Sequence, residues 1–133
     1  MKSKKMTLTK AKKRAWSAFS LYIRTKYSKD GYCECFTCGR SKPIKEAQAG
    51  HGIGGRTNAI LFLEEIVRPQ CYGCNIGKGG HYEIFVLKLI DLYGRDGYEE
   101  FIRLKNTTVK FTIPELLEME AEWKAQIKEL EGR

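Results

Sequence analysis

Apolar residues recur with a helical period in three parts of this chain, and a long middle stretch follows no such rule. Between residues 8 and 28, Trp16, Phe19, Ile23 and Tyr27 return at steps of three and four, which predicts a helix with one apolar stripe. Residues 81–104 repeat the pattern, with Ile84, Leu87, Ile90 and Leu92 as the expected face. "YGRDGY" interrupts that helix near Gly94–Gly97, and a second short helix is expected from Tyr98 to Leu104. "NTTVKFT" reads as a connector, extended in part. In "TIPELLEMEAEWKAQIKEL", Thr112 and Glu115 have the spacing of a capping box. Leu116, Met119, Trp123, Ile127 and Leu130 form its apolar stripe, a face suited to the core or to a dimer contact. The middle, residues 29–80, holds all five cysteines, many glycines and two of the three prolines. There "SKDGYCECFTCGRSKP" carries turn signals at Asp30-Gly31 and Gly39 and reads as a short hairpin with a metal knuckle. "AILFLEEIV" (59–67) is a compact apolar run, ambiguous between strand and buried turn. Neither an internal repeat nor a low-complexity linker is visible.

A length of 133 residues suits one domain, divided here into a basic N-terminal helix (1–28), a central core (29–93) and C-terminal helices (94–133). Apolar content of 42% with 30% charged residues belongs to a folded, soluble chain. No run approaches the ~18 apolar residues of a membrane span. The N-terminus is basic but lacks the apolar stretch of a secretory signal. An intracellular protein with no membrane partner is therefore expected. The formal charge is +8, unevenly spread. Residues 1–30 contain ten of the 24 Lys and Arg, Lys2 and Lys4 among them, with Asp30 as the single acid; residues 115–133 contain six Glu against three basic residues. Such an end either keeps the chain soluble or binds a polyanion, most often nucleic acid.

An odd number of cysteines without a signal argues against a disulfide framework. "CFTC" sets Cys35 and Cys38 at C-x-x-C spacing and "CYGC" does the same for Cys71 and Cys74. Each knuckle directs two thiolates at one ion, and two knuckles complete a tetrahedral four-cysteine site suited to structural Zn2+. Binding would supply much of the folding free energy of a glycine-rich segment that cannot pack a core alone. A redox dithiol would need one pair in a βαβ setting. Cys33 is left over and could replace Cys35 as ligand, although the C-x-x-C-G register favours Cys35 and Cys38.

Two further residues change the reading from a clip to a reactive site. Asn75 directly follows the second pair, and His51 stands alone among glycines in "AGHGIGG", twenty residues before Cys71. The order "H … C-x-x-C-N" is that of the ββα-metal, or HNH, nucleases. With "AWSAFSLYIR" (15–24), "CFTCGR" (35–40), "AGH" (49–51), "RPQCYGCN" (68–75) and "GGHYEIF" (79–85), the chain resembles the phage NinG family, also called Rap, of recombination endonucleases, from about residue 10 to about 105. The zinc-and-Asn part is also similar to phage endonuclease VII.

The resemblance implies an α+β, mainly helical fold: a small zinc-stabilised ββα-metal (HNH or treble-clef-like) core flanked by N- and C-terminal helices. It implies an endonuclease that cuts branched DNA, such as Holliday junctions or displaced-strand joints, in phage recombination in the cytoplasm of an infected bacterium. His51 would be the general base, since imidazole has the near-neutral pKa that role needs. Asn75 would bind the catalytic Mg2+ or Mn2+ that holds the scissile phosphate. The glycines beside His51 would let a phosphate backbone come close. Cutting two strands symmetrically implies a homodimer, with the C-terminal helix as candidate interface. Lys10, Lys12, Lys13, Arg14, Arg56, Arg68 and Lys78 are candidate DNA contacts, while Tyr72 and Tyr82 are expected to pack around the zinc.

This sequence also departs from the HNH pattern. Gly50 stands beside the histidine where many relatives carry an Asp, Gln48 sits where some have an acid, and Ile66 replaces the middle Asn. The ligand set of the catalytic cation is therefore short, with His81 the first candidate to complete it, then Glu64, Glu65 and Glu46. Two other readings stay open: a general or nicking HNH nuclease on ordinary duplex, and a non-catalytic zinc-stabilised DNA-binding protein.

Overall fold

A computed structural model describes residues 5–132. Lys2 and Lys4 of the basic end lie outside the described residues. Helix α1 (Leu8–Lys26) starts at Thr7, whose hydroxyl accepts from the Lys10 N–H. Two antiparallel strands follow, β1 (Ser28–Lys29) and β2 (Tyr32–Glu34). The turn between them, Asp30-Gly31, has positive φ at both residues, as a tight hairpin requires. β3 (Ser41–Pro43) completes a three-stranded sheet in the order β1-β2-β3.

A second, two-stranded sheet pairs β4 (Gln48–His51) with β5 (Val67–Gln70), antiparallel, with Gln48 opposite Gln70 and His51 opposite Val67. Their connection contains a one-turn helix α2 (Asn58–Leu61) and a 3-10 turn at Glu64–Ile66. The ambiguous run 59–67 thus divides into helix, 3-10 turn and the first residue of a strand. After β5 come a π-turn (Gly73–Gly77), the long helix α3 (Tyr82–Lys105) and α4 (Ile113–Glu131). The capping box of Thr112 and Glu115 forms as expected.

The fold is α+β and mainly helical, as the sequence predicts. One detail differs. The buried face of α3 is Phe85 and Leu89, whereas Leu87 and Leu92 are 61% and 57% exposed. The reason lies in the partner: β4 ends against α3, and a Cβ on Gly52 would fall 2.4 Å from Leu89 Cδ1 and 2.7 Å from the Phe85 ring. The absent side chain lets those two residues dock, about one helical step from the face that periodicity favoured. The break at Gly94 (φ 75°, ψ 164°) is as expected.

The alternative left open for α4 is decided as well. Its apolar stripe is covered within the chain, where Leu116 meets Ala11 and Ala15, Trp123 meets Phe19, and Ile127 joins the main core. Arg14 pairs with Glu120 at 3.0 Å along the same seam. Of the two roles the sequence left open for this stripe, core and dimer contact, it serves the core. Because residue numbers rise together along both helices, α1 and α4 run parallel. Among the described residues no helix is long and apolar enough to cross a membrane.

Candidate functional site

The two knuckles converge. In the first, the Gly39 N–H donates to the Cys35 carbonyl at 2.9 Å and the Cys35 N–H to the Arg40 carbonyl at 2.7 Å. Gly39 sits at φ 80°, where a side chain would be strained. In the second, the Cys74 N–H points at Cys71 Sγ (3.4 Å) and the Asn75 N–H at the Cys71 carbonyl (2.9 Å). The four Sγ atoms of Cys35, Cys38, Cys71 and Cys74 lie within 4.8 Å of one another. Tetrahedral Zn–S bonds of about 2.3 Å place sulfurs about 3.8 Å apart, so these cysteines could hold a zinc ion. Burial pushes the Cys35 thiol up, but the Thr37 hydroxyl and nearby backbone amides outweigh it and bring its pKa down to about 6. Cys33 is not a fifth candidate, since its Sγ turns to the Arg24 carbonyl at 3.1 Å, and burial pushes its thiol up.

His51 ends β4 and is only 6% exposed. Its ring stacks on Trp16, with centroids 5.2 Å apart and planes 18° apart. Nε2 lies 3.0 Å from the Leu61 carbonyl. A carbonyl only accepts, so the ring proton sits on Nε2 and Nδ1 keeps its lone pair. Burial lowers the imidazole pKa, the nearby Arg56 charge acts in the same direction, and the bond to Leu61 opposes both. The ring is therefore neutral at physiological pH. Ile66, in place of the loop-steadying Asn, is fully buried, and its carbonyl accepts from the Gly52 N–H at 2.8 Å. Backbone and core packing hold this loop instead.

One residue back, Gly50 explains the missing acid. A Cβ there would lie 1.8 Å from Gln70 Oε1 and 3.1 Å from Asn75 Oδ1. The space an aspartate would need is filled by Gln70. Its Nε2 donates to Thr37 Oγ1 (3.0 Å) and the Gly80 carbonyl (2.9 Å), which fixes the amide orientation. Gln70 Oε1 is buried and accepts from nothing, alone in this among the described side chains. Asn75 Nδ2 donates to Gln48 Oε1 at 2.7 Å. Two carboxamide oxygens, of Asn75 and Gln70, thus face the same backbone position beside His51. Oxygen donors of this kind suit a hard divalent cation that draws its other ligands from water and phosphate.

Other expectations need correction. His81, the first candidate to complete the cation's ligands, has φ 52° and sets Nδ1 3.4 Å from Cys74 Sγ, so it faces the cysteine cluster. Glu64 accepts from Tyr22 Oη at 3.0 Å and from Lys26 Nζ; Glu46 and Glu65 are exposed. Apart from the four cysteines, no three His, Cys, Asp or Glu side chains converge among the described residues. Arg68 is 5% exposed: its guanidinium donates to the carbonyls of Glu64, Glu65 and Val67 and to Tyr93 Oη, so it is a core brace and not a phosphate contact. Arg14 is held by Glu120. Tyr72 and Tyr82 are 62% and 41% exposed rather than packed around the sulfurs.

The remaining basic candidates do gather or stay free. Lys12, Lys13 and Arg56 line one cleft with Trp16, where the Arg56 guanidinium lies 4.5 Å from the indole centroid and Lys12 Nζ donates to Asn58 Oδ1 at 2.5 Å. Lys10 and Lys78 are exposed. Sequence reasoning missed Gln70 and the contact of Trp16 with His51. The quoted "RPQC" and "AWSAFS" contain both residues, but neither residue type announces such a role.

Residues 1–132 match the model of the NinG family, described as "Bacteriophage Lambda NinG protein". No curated protein and no solved structure matches.

Proposed function

Since this chain belongs to the NinG family, we propose that it is a metal-dependent endonuclease of the ββα-metal type that cuts branched DNA in phage recombination. One observation carries the reading: His51, at a strand end, is buried, neutral and held with Nδ1 as its free lone pair, one residue from the position that the Asn75 and Gln70 oxygens face. The order β4, β5, α3, a strand pair followed by a helix, with the cysteine cluster at the turn before the helix, supports this reading.

In this mechanism Nδ1 of His51 accepts a proton from the water that attacks phosphorus, while Nε2–H stays on the Leu61 carbonyl. Trp16 keeps the ring in plane by stacking. Asn75, with Gln70 behind it, would hold a Mg2+ or Mn2+ ion. When bound, that ion supplies Lewis-acid stabilisation of the scissile phosphate and the leaving oxygen. Lys12, Lys13 and Arg56 hold the flanking backbone. The four cysteines carry structural zinc. A homodimer would bring two such sites to a junction.

The test compares cleavage of a labelled four-way junction with matched linear duplex, in Mg2+ or Mn2+, for wild type and His51→Ala. The expected result is junction cutting that falls by about 10²-fold or more in His51→Ala while zinc content stays unchanged. Equal cutting of both substrates would instead indicate a general or nicking nuclease. Binding without cutting in either metal would leave a zinc-stabilised DNA-binding protein, the reading that the lack of a carboxylate beside Asn75 favours.

A further inference from the structure

A second cleft of about 410 Å³ opens between α1 and β4, next to the one lined by Lys12 and Lys13 and sharing Trp16 and Arg56 with it. Its far wall adds Arg24 from α1 and Lys45 from the 3-10 turn before β4, and Asn75 and Gln48 also reach its lining. Among the described residues no carboxylate lines it. Arg24, Lys45 and Arg56 form no ion pair among the described residues. Three uncompensated cations in one concave, acid-free surface focus a positive potential there.

Arg24 is also positioned. Nε donates to the Ser20 carbonyl and Oγ at 3.2 Å, and Nη1 to the Ile44 carbonyl at 2.7 Å. These contacts fix the guanidinium plane and leave Nη2 without a hydrogen-bond partner among the described residues. Trp16, Ser20 and Arg24 recur every four residues, so they share one face of α1. From Trp16 to Arg24 the helix rises about 12 Å, long enough to face more than one phosphate of a strand, whose charges recur every ~3.4 Å of duplex axis.

We propose that this cleft takes the sugar-phosphate backbone of the strand being cut, with Arg24 and Lys45 binding phosphates on the opposite side of Asn75 from Lys12 and Lys13. The inference rests on the DNA-cutting reading and names the part of the chain that holds the substrate strand. The groove then runs from Lys12 and Lys13 past Arg56 and Trp16 to Arg24 and Lys45, and His51 lies beside it through its stack on Trp16. Two other basic residues of α1 are engaged elsewhere: Arg14 pairs with Glu120 and Lys26 with Glu64.

The experiment measures equilibrium binding of a fluorescent four-way junction as a function of salt, in a His51→Ala background so that no substrate is cut. Lys45→Glu is the informative variant, because Lys45 pairs with no acid among the described residues. Lys128→Glu makes the same charge change on α4. The expected result is a loss of about tenfold in affinity for Lys45→Glu and a slope of log K against log[salt] shallower by about one, with Lys128→Glu close to the parent. Arg24→Lys should keep most of the affinity and Arg24→Gln should lose it, with unfolding midpoints recorded to separate binding from loosening of the Ile44 contact. Equal effects of Lys45→Glu and Lys128→Glu would reduce the effect to net charge and overturn the proposal. If the protein cuts junctions yet Lys45→Glu binds like the parent, this inference falls and the nuclease reading stands; no binding by the parent defeats both.

Discussion

At His51 the burial that fixes the tautomer also couples folding to pH. Unfolded, the imidazole titrates at its ordinary 6.5; folded, burial holds it lower. Between the two values the unfolded chain carries the extra proton, so the stabilisation is complete above pH 6.5 and is lost as pH falls through the folded value. Urea midpoints for wild type and His51→Gln should therefore run nearly parallel above about pH 7 and converge toward about pH 5, the wild type falling faster. Parallel lines over the whole range would show that the ring does not resist protonation. The tautomer was not legible in "AGHGIGG". The Leu61 carbonyl that sets it comes from the end of α2, ten residues on, and no local pattern announces that approach.

Among the elements, the two knuckles were the most legible, because C-x-x-C is a local geometry and its spacing survives any arrangement of the remainder. The capping box and the break at Gly94 were legible for the same reason. The face of α3 was not. Periodicity reports which residues share a side, but Gly52 decides which side docks, and Gly52 is far away in sequence. Gln70 escaped likewise: a glutamine in a strand says nothing until its side chain is found filling the space left by Gly50 on the neighbouring strand. The knuckles also carry a prediction. Several pieces of the chain — β2, β3, β5, the π-turn and the start of α3 — meet around the four sulfurs. Cys71→Ser should abolish zinc binding and lower the thermal midpoint by about ten degrees or more, and a strong chelator should produce the same loss in wild type. A chelated protein with an unchanged midpoint would show that the cluster is not metal-bearing. Cys33→Ser should retain zinc, since that thiol faces the Arg24 carbonyl.

On the scale of the molecule, an aromatic cluster joins the terminal helices to the connection that carries His51's partner. Trp123 lies 4.8 Å from Phe19 and 5.1 Å from Phe62, which in turn meets Trp16 and Phe111. Trp123→Ala should cost about 3–5 kcal/mol, as emptying a large aromatic site usually does, read as a shift of the urea midpoint at constant slope. A cost under about 1 kcal/mol would mean that α4 is loosely seated.

The parallel setting of α1 on α4 has a consequence for how the chain assembles. Arg14 and Glu120, partners across that seam, are 106 residues apart. During synthesis α1 is made long before α4, and its apolar positions are covered at different times. Trp16, Phe19 and Ile23 can pack on β4, β5 and Phe62 once those have been made, whereas Ala11 and Ala15 meet Leu116 only after α4 has left the exit tunnel. A polypeptide stalled before Ile113 therefore presents the small alanine-lined groove of α1 to whatever chaperone or neighbouring chain reaches it first.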